Sequence, residues 1–278
     1  MFSYFKIPIS FLLRVVAVEK VFWPQFSKLK LSKLKYVSTK LLSSIVSLTV
    51  SSIDWFELDY LESILLQPVN SKHIVRSIIK FIRFLKLCAG RIGQLLNVSS
   101  LANECGVSVT TATSWISILE ASYIRYLLKP DYNNYAKRLV KAPKLYFYDT
   151  GLACSLLDIR NTDQTATHFL CGGLFENLVI NEFIKKAYNK GEEPNLSFWR
   201  DSTGNEVDLL RTVEGNQYAY EIKSGATYSS DFFKGISKWA KLSGATPEQC
   251  FAIYNGDKNM RTSQGEVIAW KIYNCLWN

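Results

Sequence analysis

At 278 residues, the chain is long enough to form two domains with ordinary hydrophobic cores. A hydrophobic content of 48% and an aromatic content of 14% exclude a disordered protein. The six cysteines are widely spread, no CxxC pair occurs, and there are only two histidines. This distribution argues against a zinc site or a disulfide framework, and it predicts a protein of the reducing cytoplasm.

The net charge of +9 is concentrated at one end of the chain. Residues 1–50 contain eight basic residues and one acidic residue, so they carry +7 of the total. The rest of the chain is therefore nearly neutral, and the basic composition does not by itself predict a DNA-binding protein.

Residues 1–75 form a basic N-terminal segment to which we assign no function. Its apolar stretch, 7–18, is interrupted by Pro8 and Arg14. It is too short for a membrane span, which needs about 17–25 apolar residues, and it is a poor match to a signal peptide. No membrane partner is expected. A basic amphipathic segment on a membrane surface is one alternative, and a remnant or poorly packed extension is favoured over it.

Residues 76–145 have the pattern of a winged helix. A short helix is predicted at 99–105, opened by a serine cap and closed by Gly106, and a second helix is predicted at 109–121. The second helix has apolar residues at spacings of three and four: Ala112, Trp115, Ile116 and Leu119. Predicted strands at 123–128 and 144–148 flank a polar loop and would form the wing.

Contact with DNA is expected to come from the wing, if at all. The exposed face of the second predicted helix carries hydroxyl groups, whereas base reading typically uses Arg, Lys, Asn or Gln. Four basic residues in or beside the polar loop could contact phosphates without reading sequence: Lys137, Arg138, Lys141 and Lys144. A structural or protein-contacting winged helix is the favoured alternative.

A predicted β-hairpin carries the clearest sign of chemistry. The segments 205–210 and 220–224 read as strands, and a two-residue loop at Gly215-Asn216 would pair Glu214 with Gln217. This register places Asp208 opposite Lys223, and Leu210 opposite Glu221. Alternation then puts Asp208, Glu221 and Lys223 on one face, with Cβ atoms within about 5–8 Å.

Two carboxylates at that spacing suit Mg²⁺ or Mn²⁺, and a neighbouring ammonium could orient a water or stabilise a phosphate. The expected chemistry is metal-assisted phosphodiester hydrolysis. The alternative is an exposed hairpin with an ion pair worth about 0.2–1 kcal/mol.

A third carboxylate, Glu176, lies on a predicted helix at 172–190. It falls near the centre of an apolar arc formed by Val179, Ile180, Phe183 and Ala187. A glutamate that faces a core is costly unless it is paired or bound to metal. The alternative is that Glu176 lies in a solvated first turn, where the helix dipole favours its charge.

Several ordered motifs resemble a known family. They are Gly173-Leu174-Phe175-Glu176-Asn177, Phe198-Trp199-Arg200-Asp201 leading to Glu206-Val207-Asp208, Glu221-Ile222-Lys223-Ser224, and the stretch 144–152. Together they resemble the PD-(D/E)xK nuclease-like superfamily and, more narrowly, the DUF4143 domain, which typically forms the C-terminal part of prokaryotic AAA-type ATPases. The resemblance covers roughly residues 80–278. It implies Glu176, Asp208 and Glu221 as metal ligands, Asp208, Glu221 and Lys223 as catalytic residues, and Mg²⁺ or Mn²⁺ as cofactor.

The ATPase part of that family should carry a phosphate loop of the form GxxxxGK(S/T), and no such segment occurs in the sequence. ATP binding is therefore not expected. The chain is instead expected to be a relative of the family that lacks the ATPase portion. The predicted fold is α/β: a winged helix at 76–145, then a restriction-endonuclease-like α/β domain at 146–278. Its strands are expected around Trp199, Asp208, Glu221, Ile253 and Ile268, with a helix at 232–242.

The function predicted from these patterns and from the resemblance is that of a DUF4143-like protein with a metal-dependent nuclease fold and no ATP-binding loop, which acts on DNA if it acts as an enzyme. The alternative is a non-enzymatic remnant that binds DNA or protein, or that docks onto a full-length ATPase relative.

Overall fold

The computed structural model describes residues 71–131 and 140–272. The basic segment up to residue 70, and Lys137 and Arg138 of the polar loop, lie outside the described residues. The chain divides into two compact units. Of the described residues, one unit contains 71–86 and Val98–Arg125, and the other contains Leu87–Asn97, 126–131 and 140–272.

The first unit is helical where it is described. Its helices are α1 (Ser71–Ala89), α2 (Val98–Cys105) and α3 (Val109–Ala121). Only the part of α1 up to Lys86 belongs to the first unit. The Ser108 hydroxyl caps α3 by accepting the Thr111 N–H at 3.0 Å. The four apolar positions predicted to face inward on α3 are all buried, and Trp115 packs edge-on against Phe81 and Phe84. Helix α3 is thus confirmed, whereas α2 begins one residue before the serine expected to cap it.

Both strands that were predicted to make a wing are present, but they belong largely to the second unit. Strand β1 is Arg125–Leu128, and it pairs with strand β2, Lys144–Phe147. Just beyond β1, the Phe198 N–H donates to the Lys129 carbonyl at 3.1 Å, and the Asp131 N–H donates to the Phe198 carbonyl at 2.7 Å. These bonds tie the segment to the main sheet, so the predicted boundary after residue 145 differs from the division in the structure.

The second unit is mixed α/β. Its further elements are α4 (Thr150–Leu156), α5 (Thr162–Thr167), α6 (Cys171–Asn189), β3 (Leu196–Arg200), β4 (Glu206–Val213), β5 (Asn216–Lys223), α7 (Lys234–Ser243), β6 (Cys250–Tyr254), β7 (Met260–Thr262) and β8 (Gly265–Ala269). The sheet has the order β3-β4-β5-β6-β8-β7. Strands β5, β6 and β8 run parallel, and the other neighbours are antiparallel. Every strand expected in this region is present, and β7 is an addition.

The β4–β5 hairpin forms in a different register from the predicted one. Val213 pairs with Asn216 and Leu209 with Tyr220, so the two loop residues are Glu214 and Gly215. Both have positive φ, 50° and 81°, as a type I′ turn requires. Continued along the strands, this register sets Asp208 across from Glu221 instead of Lys223. The face is unchanged, because the register moves by two positions and side chains alternate with a period of two.

Helix α7 packs on the sheet through a close backbone contact. Ile236 and Trp239 of α7 join a buried cluster that includes Trp199 of β3. A Cβ atom on Gly235 would lie 1.8 Å from the Glu206 carbonyl oxygen, so only glycine allows this approach. The first residue of β4 is thereby held against the helix. In the described ranges, no helix has the length and apolar character needed to cross a bilayer.

Candidate functional site

Four carboxylates and two lysines of the second unit form one charged cluster. The carboxylates come from α6, β4 and β5, and the lysines from β2 and β5. The members are Glu176, Glu206, Asp208, Glu221, Lys144 and Lys223. The four residues predicted from the sequence are therefore brought together, with two that were not predicted to belong.

The predicted trio lies at the end of the hairpin away from its turn. Lys223 Nζ is 2.5 Å from Glu221 Oε1 and 3.9 Å from Asp208 Oδ2. The Ile222 N–H donates to Asp208 Oδ2 at 2.8 Å, which fixes that carboxylate against β5. Glu221 Oε2 is buried and has no hydrogen-bond partner among the described residues. An unpaired carboxylate oxygen at a buried position is costly, so it marks a place where a cation or a donor would be stabilised.

Lys144 lies inside the cluster and is almost fully buried, with 2% of its side chain exposed. Its ammonium is 2.9 Å from Glu176 Oε1 and 3.7 Å from Asp208 Oδ1, and it also pairs with Glu206. Lys144 was predicted to contact DNA phosphates, but its charge faces three carboxylates instead of solvent, an arrangement that does not favour such a contact. Lys141, three residues earlier, is exposed.

The backbone around β2 holds Lys144 in place. Lys144 forms an antiparallel bridge with Leu95, and the next residue, Leu145, exchanges hydrogen bonds with Gly93 and Gln94. The Lys144 ammonium also lies 5.4 Å from the centre of the buried Phe198 ring. The ammonium is thus positioned before any ligand arrives.

Glu176 is positioned by the docking of α6 onto β2. The buried Asn177 accepts from the Phe147 N–H at 2.8 Å, and the buried Asn181 donates to the Phe147 carbonyl at 2.9 Å. Glu176 then accepts from the Tyr146 hydroxyl and from Lys144. It is the sixth residue of α6 and has charged and polar partners, so the alternative of a solvated first turn does not hold.

The comparisons with known proteins place this site in family context. Residues 46–163 match the model of DUF8612, and residues 171–273 match that of DUF4143, both described as domains of unknown function. The chain carries a DUF4143 domain. Lys144 and Tyr146 fall in the first matched segment, whereas all four carboxylates and Lys223 fall in the DUF4143 segment.

Relatives with sequence similarity to the chain are themselves uncharacterized. One protein of Mycobacterium tuberculosis and one of Mycobacterium bovis are each 31% identical over 138 residues, which is 49% of this chain. The match spans 30% of each relative's length, so less than a third of those proteins is compared. No solved structure matches the chain significantly.

The crowded charges of this site shift the pKa values of its side chains strongly. Burial raises the pKa of Glu221 to about 8, with Asp208 adding to the rise and Lys223 opposing it. Burial likewise raises the pKa of Glu176 to about 7, against the effect of Lys144 and Tyr146. Burial alone would lower the pKa values of Lys144 and Lys223, but the neighbouring carboxylates outweigh it and raise both. The site therefore keeps both ammonium groups charged and disfavours a full set of ionised carboxylates.

The donor set of the DUF4143 site suits a hard divalent cation, although a three-residue cage is not preformed. Across 71–131 and 140–272, no group of three or more His, Cys, Asp or Glu side chains is arranged to hold a metal ion. Glu176 is instead engaged by Lys144. Mg²⁺, however, is usually held by one or two carboxylates with waters and substrate oxygens completing the shell. Asp208 and Glu221, with its unpaired Oε2, meet that requirement.

Several residues of the site were missed by the sequence reasoning. Lys144 was grouped with the basic residues of the polar loop, and no role was given to Tyr146, Glu206, Asn177 or Asn181. The two asparagines had a readable signal, since polar residues four apart fall among the apolar positions of a helix. Glu206 had no signal for its place in the cluster, because its partner Lys144 lies on β2, far away in the sequence; its other partner, Arg200, lies directly across on the neighbouring strand β3.

Proposed function

We propose that this chain is a metal-dependent phosphodiesterase that hydrolyses DNA, with Asp208 and Glu221 holding one Mg²⁺ or Mn²⁺ ion and Lys223 acting beside it. The observation that carries the proposal is the buried Glu221 Oε2, which lies next to Asp208 and Lys223 and has no hydrogen-bond partner within 71–131 and 140–272. We place the activity in a reducing cytoplasm, because the six cysteines are widely spread in the sequence and form no CxxC pair.

The roles of the residues follow from their partners and exposure. A bound divalent ion would polarise the phosphate and lower the pKa of a coordinated water. Asp208 is fixed by the Ile222 N–H, so it can present an oxygen with little reorganisation. Lys223 is 38% exposed and has a raised pKa, so it can stay charged while reaching an incoming phosphate. It would stabilise the charge that develops on the phosphate oxygens during attack by water.

Glu176 has a different role in this proposal from the one the family resemblance implies. Because Lys144 and Tyr146 already engage one of its oxygens, it serves to hold Lys144 in the cluster. Asp208 and Glu221 remain as the carboxylates available to an ion.

A nicking assay on supercoiled plasmid tests the proposal. We expect cleavage with Mg²⁺ or Mn²⁺ and none with excess EDTA. Asp208→Asn, Glu221→Gln and Lys223→Met should each abolish it. Glu193→Gln is the matched control, because Glu193 is exposed in the loop before β3, at the end of the sheet where the hairpin turns. All variants should be compared by thermal melting to establish that they fold. Equal cleavage by the wild type and Asp208→Asn would refute the catalytic assignment.

The second candidate is a non-enzymatic module that binds DNA or a protein. It is favoured by the position of Lys144, whose ammonium lies between the carboxylates that a metal would otherwise share. This candidate predicts no cleavage and no metal-induced rise in melting temperature. If the module binds DNA, salt should weaken binding, and neutralising Lys137, Arg138 and Lys141 together should weaken it further. Unchanged affinity in that triple variant would exclude the loop as the contact, and capture of an intact ATPase relative would identify a protein partner instead.

A further inference from the structure

The buried ammonium of Lys144 pairs with three carboxylates at once. They come from two separate elements, Glu176 on α6 and both Glu206 and Asp208 on β4. Carboxylate oxygens are the ligands that a hard divalent ion prefers. With the ammonium among them, the three carboxylates of the described structure are spaced around a lysine and are not arranged as a metal site.

We infer that Lys144 is a built-in cation that takes the place of a second metal ion, so that the site binds one divalent ion per chain. The inference deepens the proposed function and rests on it, since it concerns the second position of the same site. Asp208 joins the two positions: its Oδ1 is 3.7 Å from Lys144, whereas its Oδ2 accepts from Ile222 and faces Lys223. In two-metal hydrolases, a shared carboxylate typically lies between ions about 3.5–4 Å apart.

The charge balance agrees with one added ion. With the ion bound and all four carboxylates ionised, the carboxylates contribute −4, and Lys144, Lys223 and Arg200 contribute +3, with Arg200 Nη1 2.8 Å from Glu206. One divalent ion then leaves +1, which a phosphodiester of charge −1 neutralises. A second divalent ion beside the Lys144 ammonium would add two more positive charges at contact distance and would be repelled.

The surroundings of Lys144 also favour a cation that is part of the protein over a metal ion that exchanges with solvent. Its backbone is held by the bridge to Leu95, and its side chain lies against the Phe198 ring. A tethered ammonium keeps Glu176 and Glu206 in place without metal, at the cost of the Lewis acidity that a second ion would supply.

The test is the stoichiometry of Mn²⁺ binding to the full chain, measured by electron paramagnetic resonance and by calorimetry without substrate. The wild type should bind one Mn²⁺. Lys144→Met should bind two, because removal of the ammonium leaves three carboxylates facing an empty position. Lys144→Arg keeps the charge and should bind one.

Lys223→Met is the matched control, since it removes the other lysine of the same cluster. It should still bind one Mn²⁺, and more tightly, because Lys223 competes with the ion for Asp208 and Glu221. If Lys144→Met does not fold without metal, as followed by circular dichroism, Mn²⁺ should restore the fold while NaCl of equal ionic strength should not.

The outcomes separate this inference from the proposed function. Any one of four results would overturn the inference while leaving the nuclease proposal standing. The wild type could bind two Mn²⁺ ions, or Lys144→Met could bind only one. Lys223→Met could gain a second ion, or Mn²⁺ could fail to restore the fold of Lys144→Met. A wild type that binds no Mn²⁺ and cleaves no plasmid would overturn both.

Discussion

Adjacent glycines at the start of α6 allow the packing of this helix to be tested quantitatively. A Cβ atom on Gly173 would lie 2.8 Å from the Ile92 carbonyl oxygen and 3.2 Å from its Cγ2, whereas a Cβ on Gly172 would meet nothing within 4 Å. Both Gly→Ala changes gain up to about 1 kcal/mol of helix propensity. Only Gly173→Ala adds overpacking, which costs about 1–3 kcal/mol. The free energy of unfolding of Gly173→Ala should therefore be lower than that of Gly172→Ala by about 1–3 kcal/mol.

Urea and thermal unfolding followed by tryptophan fluorescence measure this difference, since Trp199 and Trp239 are buried in the same unit. At about 2–4 °C per kcal/mol for a unit of this size, the melting temperatures should differ by about 2–12 °C. Both variants gain the same helix propensity, so this contribution to the free energy of unfolding cancels when the two are compared. If Gly173→Ala is as stable as Gly172→Ala or more so, α6 does not approach residue 92 as described, and the placement of Glu176 beside Lys144 loses its support.

Three further predictions concern single positions. Asn177→Ala leaves the buried Phe147 N–H without its acceptor and should lower the free energy of unfolding by about 1–3 kcal/mol in urea titrations. Glu214→Asn should raise the melting temperature, because asparagine tolerates the positive φ of this turn residue, whereas Gly215→Ala should lower it. Burial raises the pKa of the Cys250 thiol to about 11, so about one molecule in a thousand carries the thiolate at pH 8. Iodoacetamide should therefore alkylate Cys250 in urea and leave it unmodified in the native protein, as measured by peptide mass spectrometry.

The hairpin shows why an approximate sequence prediction located the site. The loop was expected at Gly215-Asn216, because glycine marks a turn while nothing in the sequence marks Glu214 as a residue of positive φ. The error moved the register by two positions. Since side chains alternate with a period of two, Asp208, Glu221 and Lys223 stayed on a common face, and their grouping was predicted correctly although their pairing was not.

Lys144 shows the opposite case, in which local pattern misleads. Its neighbours in sequence include Lys137, Arg138 and Lys141, so it read as part of a solvated basic loop. Its partner Glu176 is 32 residues away, on a helix that two buried asparagines dock onto β2. Periodicity reports which face of an element is buried and carries no information about the charge that a distant element brings to that face. The helices and strands could therefore be predicted, whereas the cation at the centre of the site could not.

Because the carboxylates depend on Lys144 for a compensating charge, the matched DUF4143 segment does not contain the whole site. Glu176, Glu206 and Asp208 lie within residues 171–273, but the ammonium that neutralises them comes from β2, within the segment that matches DUF8612. Removing one partner of a buried ion pair typically costs about 3–5 kcal/mol, because the remaining charge is left uncompensated. A chain with these carboxylates and no lysine at this position would need another cation there, and a divalent ion is the one that their oxygens suit. Under the proposed one-metal site, the residue at position 144 would decide whether this arrangement of carboxylates takes one metal ion or two.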